Sequence, residues 1–520
     1  MAKTKTKGFL CLSFALLGLA SCAAKFRFES YVFPSLETTP LSQIDGENFM
    51  RLGYYRSLRT SKGMIQSRLS DIYSINHKRY VVPSSGTPYL TVIPVDFSDY
   101  PMEKCGPNAI DQIREAFFGD AAFNQFYSLA EYYDKASFHR LQIQGEVTPT
   151  AFRSSETYAV LKTKNNASQT KAALLKIHEE AVEWYNQQNF THELGPNDPV
   201  YFVYSAPYSG MDGGTSSRSS MMWAFTVNEP APICWSSFHM AHPTADGQMD
   251  AHTYIHEFGH MLGLKDYYDQ NSYSELSSCA PMGRMDMMDC SLGEHNPFSK
   301  MLLEWTRPYV PLGECEITLR PFTGNGDCLL LPIGGYNETP YDEYLLVEYY
   351  VPGYLNSADA TLRPDPLMSL PKNSGIRVYH VDGRLGLFNE RAKAPIAHLD
   401  EDTDIGTNNI DLYCDNSGYV RQGYVTSTRG FLIQSLQAGN SGRLIENFIA
   451  ADHDEDYPVG AKFAHMRDVL FDKGQGIDAS FANLDAHKAG ASLEYGFEIS
   501  ELSLSYAKLR VFPLTEAAGE

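Results

Sequence analysis

Between His256 and Asp269 the chain reads H-E-F-G-H-M-L-G-L-K-D-Y-Y-D. Two histidines four residues apart on a helix project from one face, about one turn from each other. Zinc prefers nitrogen donors, and imidazole keeps its lone pair at neutral pH. His256 and His260 therefore form a pair able to clamp the ion. Glu257 cannot share their direction, but it suits a general base that takes a proton from a water activated by the metal. A catalytic zinc needs a third protein ligand and one open position. Gly263 suits a sharp exit from the helix, where a left-handed backbone is often required. The chain can then turn back and deliver Asp266, with Asp269 as the other carboxylate in reach.

The ends and the composition bound where such a site would work. Lys3, Lys5 and Lys7 precede a short apolar run from Phe9 to Leu19, which reads as an export signal rather than a stable membrane span. Leu19-Ala20-Ser21-Cys22 resembles the lipobox of bacterial lipoproteins, in which the cysteine is lipidated. An ordinary secretory signal cut nearby is the alternative. Both predict export, and the lipobox adds a lipid anchor at Cys22 that holds the protein on the outer face of a bacterial membrane. No later stretch is apolar for long enough to span a bilayer. The formal charge of −21 argues against nucleic acid as a partner and for solubility outside the cell. Cys279 with Cys290, and Cys315 with Cys328, are candidate disulfides for an exported chain.

The remaining length suggests two or three domains, and the order of strand-like and helix-like segments an α+β fold. After the signal at 1–22, residues 23–82 are polar and weakly patterned, as in a tether or a pro-segment. Removing a pro-segment there would also cut the lipid tether and release the protein. Pro83-Ser84-Ser85-Gly86 punctuates the boundary. Residues 83–305 alternate strands (Tyr89 to Val95, Leu141 to Gln144, Val200 to Tyr204) with helices (Ile110 to about Tyr133, Ala167 to Asn186, Asp250 to Leu262). On the last helix Tyr254, Phe258, Met261 and Leu262 form one apolar stripe, leaving His256 and His260 on another face. The Gly/Ser loop at Gly210 to Ser220 and the stretch Trp223 to Asn228 are expected to border a substrate cleft. Residues 306–520 read as one or two β-rich domains, with strand-like segments at Cys328 to Ile333, Tyr344 to Tyr350, Ile376 to Val381 and Leu502 to Phe512.

These residues resemble a family, the immune inhibitor A-type secreted metallopeptidases, which are relatives of the metzincins. The resemblance rests on H-E-F-G-H-x-L-G-L-x-D-x-Y-D and on Met282-Gly283-Arg284-Met285-Asp286-Met287-Met288, which looks like the family's methionine turn. Pro297-Phe298-Ser299-Lys300 running into Leu303-Glu304-Trp305 is similar to the close of its catalytic domain. Val92 to Phe97, Tyr127 to Gly145, Tyr344 to Glu348 and Gly375 to Asp382 add weaker likeness. The resemblance implies a metzincin-like catalytic domain followed by a β-rich, sandwich-like C-terminal region. It implies a zinc-dependent endopeptidase acting on extracellular proteins, with Met288 as the turn methionine. Tyr268 matches a family tyrosine and would orient the site or stabilise an oxyanion, with plain packing as its other role. Lys265 stands where the family usually has proline, Met261 where an acidic residue is common, and Arg284-Met285 where an aromatic is typical. These departures bear on loop rigidity and substrate preference.

Other groups carry weaker signals. Asp400, Asp402, Asp404 and Gly406 have the alternating oxygens of a calcium loop, or are a solvated acidic loop. His252 continues the row of His256 and suits a surface or supporting role. His380, Asp382 and Glu348 read as structural polar groups. The rival to an enzyme is a surface binding protein, an adhesin or glycan reader, whose metal site is closed by a fourth protein ligand. A metal-dependent hydrolase of non-peptide substrates is a third reading. In a closed structural site Glu257 would have no task.

Overall fold

The computed structural model describes residues 27–29, 48–51, 55–60, 63–65, 68–76, 80–119, 126–188, 190, 192–211, 219–241, 249–268, 281–283, 285–361, 370–389, 394–399, 408–416, 431–436, 438, 469–478 and 491–514. Cys22, Asp269, Cys279, Arg284 and the acidic loop at 400–406 lie outside the described residues.

The fold is mixed α+β. Its first large sheet is six-stranded, in the order Gln144–Val147, Tyr89–Asp96, Val200–Tyr204, Ile233–Ser237 and Phe225–Val227, with Phe152–Arg153 pairing beside the second of these. The strands run parallel except Phe225–Val227, which lies antiparallel at one edge. Val200–Tyr204 reads V-Y-F-V-Y because both of its faces are covered. Tyr201 and Val203 point into the cluster that holds the motif helix, His252–Met261. Phe202 and Tyr204 point the other way, onto Leu174, Ile177, Ala181 and Tyr185 of the helix Ala167–Asn186. The parallel sheet is thus sandwiched by helices, and the motif helix is pinned to one face.

Local chemistry accounts for several boundaries. Asn166 caps Ala167–Asn186 by accepting from Gln169 N at 3.0 Å. The stretch expected as one helix from Ile110 to Tyr133 is two, Ala109–Phe118 and Leu129–Ala136, because Ser128 starts the second as its N-cap. Leu502 to Phe512 is likewise the end of one strand, Tyr495–Leu502, and the body of the next, Ala507–Pro513, joined by a turn at Ser503 to Tyr506. The alternating run at Leu141 contributes a single bridge to Gly86, and its strand begins at Gln144.

Beyond residue 305 the sheets are antiparallel in the main. A second six-stranded sheet runs Ile433–Ser435, Gly375–Asp382, Glu343–Tyr350, Cys328–Pro332, Tyr309–Pro311 and Phe49–Arg51. A four-stranded sheet, Cys315–Leu319, Ala507–Pro513, Tyr495–Leu502 and Gly476–Ile477, shares an apolar cluster with it. Leu345, Val347 and Tyr349 enter that cluster, whereas Tyr344 and Leu346 face the opposite way, into the cluster of the motif helix. The apolar core is therefore continuous across the change of texture at 305/306. Cys315 is a free thiol, so the Cys315–Cys328 bridge is not formed. Its strand and that of Cys328 belong to different sheets.

The segment before residue 83 also enters the core. Phe49–Arg51 is an edge strand on Tyr309–Pro311, and Leu69, Ile72 and Tyr73 of the helix Leu69–Asn76 are buried in the central cluster. Trp305 sits fully buried where these parts meet, donating its indole N–H to Ser84 O at 2.7 Å. Trp305→Ala is expected to cost about 3–5 kcal/mol, read as a lowered midpoint of chemical denaturation.

Candidate metal centre

The motif helix places its chemistry in a nearly dry environment. His252, Tyr254, Ile255, His256, Glu257, Phe258, Gly259 and Met261 are all buried. The single apolar stripe expected from the sequence is thus a helix packed on most sides. Gly263 has φ +98°, the left-handed exit that reverses the chain, and Leu264 N bonds back to Gly259 O at 3.0 Å. This turn returns Asp266 to the helix face.

His256, His260 and Asp266 converge. Their ligand atoms lie within 4.8 Å of one another. Asp266 Oδ1 stands 3.2 Å from His256 Nε2 and 3.1 Å from His260 Nε2. The other nitrogen of each ring is fixed by backbone: His256 Nδ1 donates to Met287 O at 2.7 Å, and His260 Nδ1 donates to Leu264 O at 2.8 Å. Such bonds select the tautomer that leaves Nε2 as the acceptor facing inward. Among the protein groups alone, burial opposes a charged His260, but the Asp266 carboxylate outweighs it and the imidazole is pushed up to about 9. Burial would raise the Asp266 carboxyl, yet His260 and His256 hold it well below the usual carboxylate range.

Glu257 stands beside this group and outside it. Its Oε2 accepts the Thr226 hydroxyl at 3.0 Å, and the same hydroxyl lies 3.0 Å from Glu257 O. Burial raises the Glu257 carboxyl, with His260 and His256 pulling it back. Thr226 belongs to the antiparallel edge strand Phe225–Val227. Asn228, just beyond it, donates to His260 O at 3.1 Å. The stretch Trp223 to Asn228 thus adjoins the metal motif, while most of the Gly210 to Ser220 loop lies outside the described residues.

Met288 is fully buried below the helix. A Cβ on Gly259 would meet its sulfur at 2.5 Å, so the glycine lets the methionine approach the backbone between the two histidines. Tyr267 N donates to Met288 O at 2.8 Å, which stitches the methionine segment to the loop of Asp266. Asp286 holds that segment by accepting from Met288 N at 2.8 Å and from Asn296 N and Nδ2 at 3.0 and 2.9 Å. Burial pushes the Asp286 carboxyl up to about 6 despite these donors. Sequence reading missed Asp286, although an aspartate immediately before a short helical turn is a capping signal. The half-buried ring of Tyr268 lies near-parallel to that of His256, 6.4 Å between centroids.

His252 is neither at the surface nor among the converging donors. It is buried, hydrogen-bonded to Asp250 through Nδ1 and to Asp359 Oδ2 through Nε2 at 3.0 Å, and stacked on Phe126. His380 is buried against Glu343 at 2.9 Å, Glu348 accepts from Tyr379 at 2.6 Å, and Asp382 pairs with Arg384 at 2.8 Å. No protein-family model and no curated protein sequence matches the chain.

Two outcomes follow from this geometry. Gly259→Ala is expected to destabilise the fold by about 1–3 kcal/mol, and by much less in a Met288→Ala background; a double-mutant cycle by denaturation measures the difference. For His252, burial opposes the charge, but Asp250 and Asp359 outweigh it and push the imidazole up to about 9. A raised value means stability that is full below about pH 6.5, the unperturbed histidine value, and that is lost as pH rises through about 9. The gap in Tm between wild type and His252→Gln should therefore narrow between pH 6.5 and 9.5.

Proposed function

We propose that this chain is a zinc-dependent endopeptidase of the cell surface or exterior, hydrolysing peptide bonds of extracellular proteins. The observation that carries the reading is the convergence of His256 Nε2, His260 Nε2 and Asp266 Oδ1, with a buried glutamate next to them that is not one of the three. A tetrahedral zinc with bonds of about 2.0–2.1 Å needs donors roughly 3.3 Å apart, and the carboxylate–imidazole spacings of 3.2 and 3.1 Å suit it. Among the described residues no fourth His, Cys, Asp or Glu joins these three, which suits an open catalytic site rather than a structural site closed by four protein ligands. That favours an enzyme over an adhesin or glycan reader.

A zinc ion held there would supply Lewis acidity, polarising the scissile carbonyl and making a water acidic enough to attack it. Glu257 would act there as the general base, taking a proton at its carboxylate and returning it to the leaving amine. Its burial raises its basicity, and the Thr226 hydroxyl keeps the carboxylate from swinging away. In this reading Tyr268, whose ring lies near-parallel to that of His256, would orient the site or stabilise a developing oxyanion. The buried Met288 beneath Gly259 and the antiparallel edge strand beside Glu257 support a metzincin-like arrangement of the immune inhibitor A type. In this reading the sheets that share an apolar cluster beyond residue 305 are its sandwich-like C-terminal region, and Cys22 carries the lipid anchor.

Casein cleavage by residues 23–520 tests the mechanism. Glu257→Ala should lower the rate at least about a hundredfold while zinc content is unchanged, because Glu257 is not a ligand. A variant that keeps its activity, or that loses its zinc, overturns these roles. Chelation should abolish cleavage in the wild type, and stoichiometric zinc should restore it.

A further inference from the structure

The N-terminal segment meets the metal site at its most constrained point. Tyr73, on the helix Leu69–Asn76, donates its hydroxyl to Gly263 O at 3.0 Å. Gly263 is the left-handed residue that turns the chain from His260 toward Asp266. The Tyr73 ring covers the same glycine: a Cβ at Gly263 would meet Tyr73 Cε2 at 2.7 Å and Leu69 Cδ2 at 3.4 Å. The turn is thus held by a hydrogen bond to its carbonyl and by Tyr73 ring atoms packed where a Cβ would stand.

The rest of the segment is bonded to the same frame. Val82 N donates to Met261 O at 2.8 Å, occupying a carbonyl of the last helical turn, and Tyr80 N donates to Asn228 O at 2.8 Å. Asn228 in turn holds His260 O. Arg68 pairs with Glu304 at 2.9 Å, Tyr55 donates to Thr306 O at 2.9 Å, and Phe49–Arg51 completes a sheet edge. The Tyr73 and Val82 contacts fall on the ligand turn and on the last turn of the motif helix, and those of Arg68, Tyr55 and Phe49–Arg51 on residues 304–311. A removable cover would instead lie across the metal-facing side of the donors.

We propose that Tyr73 is a positioning residue for the metal centre, and that the helix Leu69–Asn76, through Tyr73 and Leu69, clasps the turn carrying Asp266. The proposal rests on the zinc reading above for its ligand, and on the protein alone for its geometry. A ligand turn held from outside keeps Asp266 near the two imidazoles before the ion arrives, so less ordering is lost on binding. Without the hydroxyl, the carbonyl of Gly263 loses its buried donor and the turn gains freedom.

The test compares two matched deletions in the full-length chain. Tyr73→Phe removes one phenol-to-carbonyl bond at the ligand turn; Tyr55→Phe removes the same kind of bond from the same segment at Thr306. Zinc affinity is measured by competition with a chromogenic chelator, and amide hydrogen exchange is followed in the metal-free proteins. Tyr73→Phe is expected to weaken zinc binding about tenfold or more and to speed exchange at Leu264 and Tyr267. Tyr55→Phe should do neither. Equal zinc affinity in the two variants, with equal exchange at the turn, overturns the clasp. A wild type that takes up no zinc overturns the proposed function instead, and the exchange comparison then decides the clasp by itself.

Discussion

Each imidazole of the metal motif has one nitrogen committed to a backbone carbonyl, and the remaining architecture follows from keeping those two carbonyls in place. His256 bonds to Met287 O and His260 to Leu264 O. The first carbonyl requires the methionine segment to lie directly under the helix, which in turn requires glycine at 259. The second requires the chain to reverse within a few residues of His260, which requires a left-handed residue at 263. Tyr267 N on Met288 O then ties the two carbonyl-bearing segments together. The donor set is thus specified by backbone geometry more than by the donors themselves.

The surrounding core gives this geometry its rigidity. The motif helix packs on the parallel sheet, where Tyr201 meets Tyr254 edge-on at 5.6 Å between centroids, and Tyr344 and Leu346 of the second six-stranded sheet belong to the same apolar cluster. The buried His252, bridging Asp250 and Asp359, fixes the start of the helix, while Asn228 and Val82 occupy carbonyls at its end. Lys300 and Glu294, both buried, pair in the segment that follows the methionine turn. So many buried charges are tolerable only where each is matched.

What the sequence made legible was local. The i, i+4 histidines, the glycine exit and the returning aspartate sit within eleven residues, and their spacing alone brings His256, His260 and Asp266 to one place. The strand Val200–Tyr204 and the helix Ala167–Asn186 were equally readable, the strand from its unbroken β-branched and aromatic run. What stayed hidden depends on partners far along the chain. Nothing within residues 48–76 signals that Tyr73 meets Gly263, 190 positions on, or that Phe49–Arg51 pairs with Tyr309–Pro311. The burial of His252 needs Asp359, 107 positions away. The short spacing of Cys315 and Cys328 suggested a bridge, yet their strands belong to different sheets.

The proposed function stands on two imidazoles and one carboxylate of this chain holding a zinc ion with one position left open. Zinc K-edge X-ray absorption on the metal-loaded protein tests it most directly, with Asp266→Ala alongside. The account predicts two imidazole shells and two oxygen donors in the wild type, with no sulfur, and loss or marked weakening of binding in the variant. A shell closed by four protein donors, or a wild-type spectrum retained in Asp266→Ala, would contradict it.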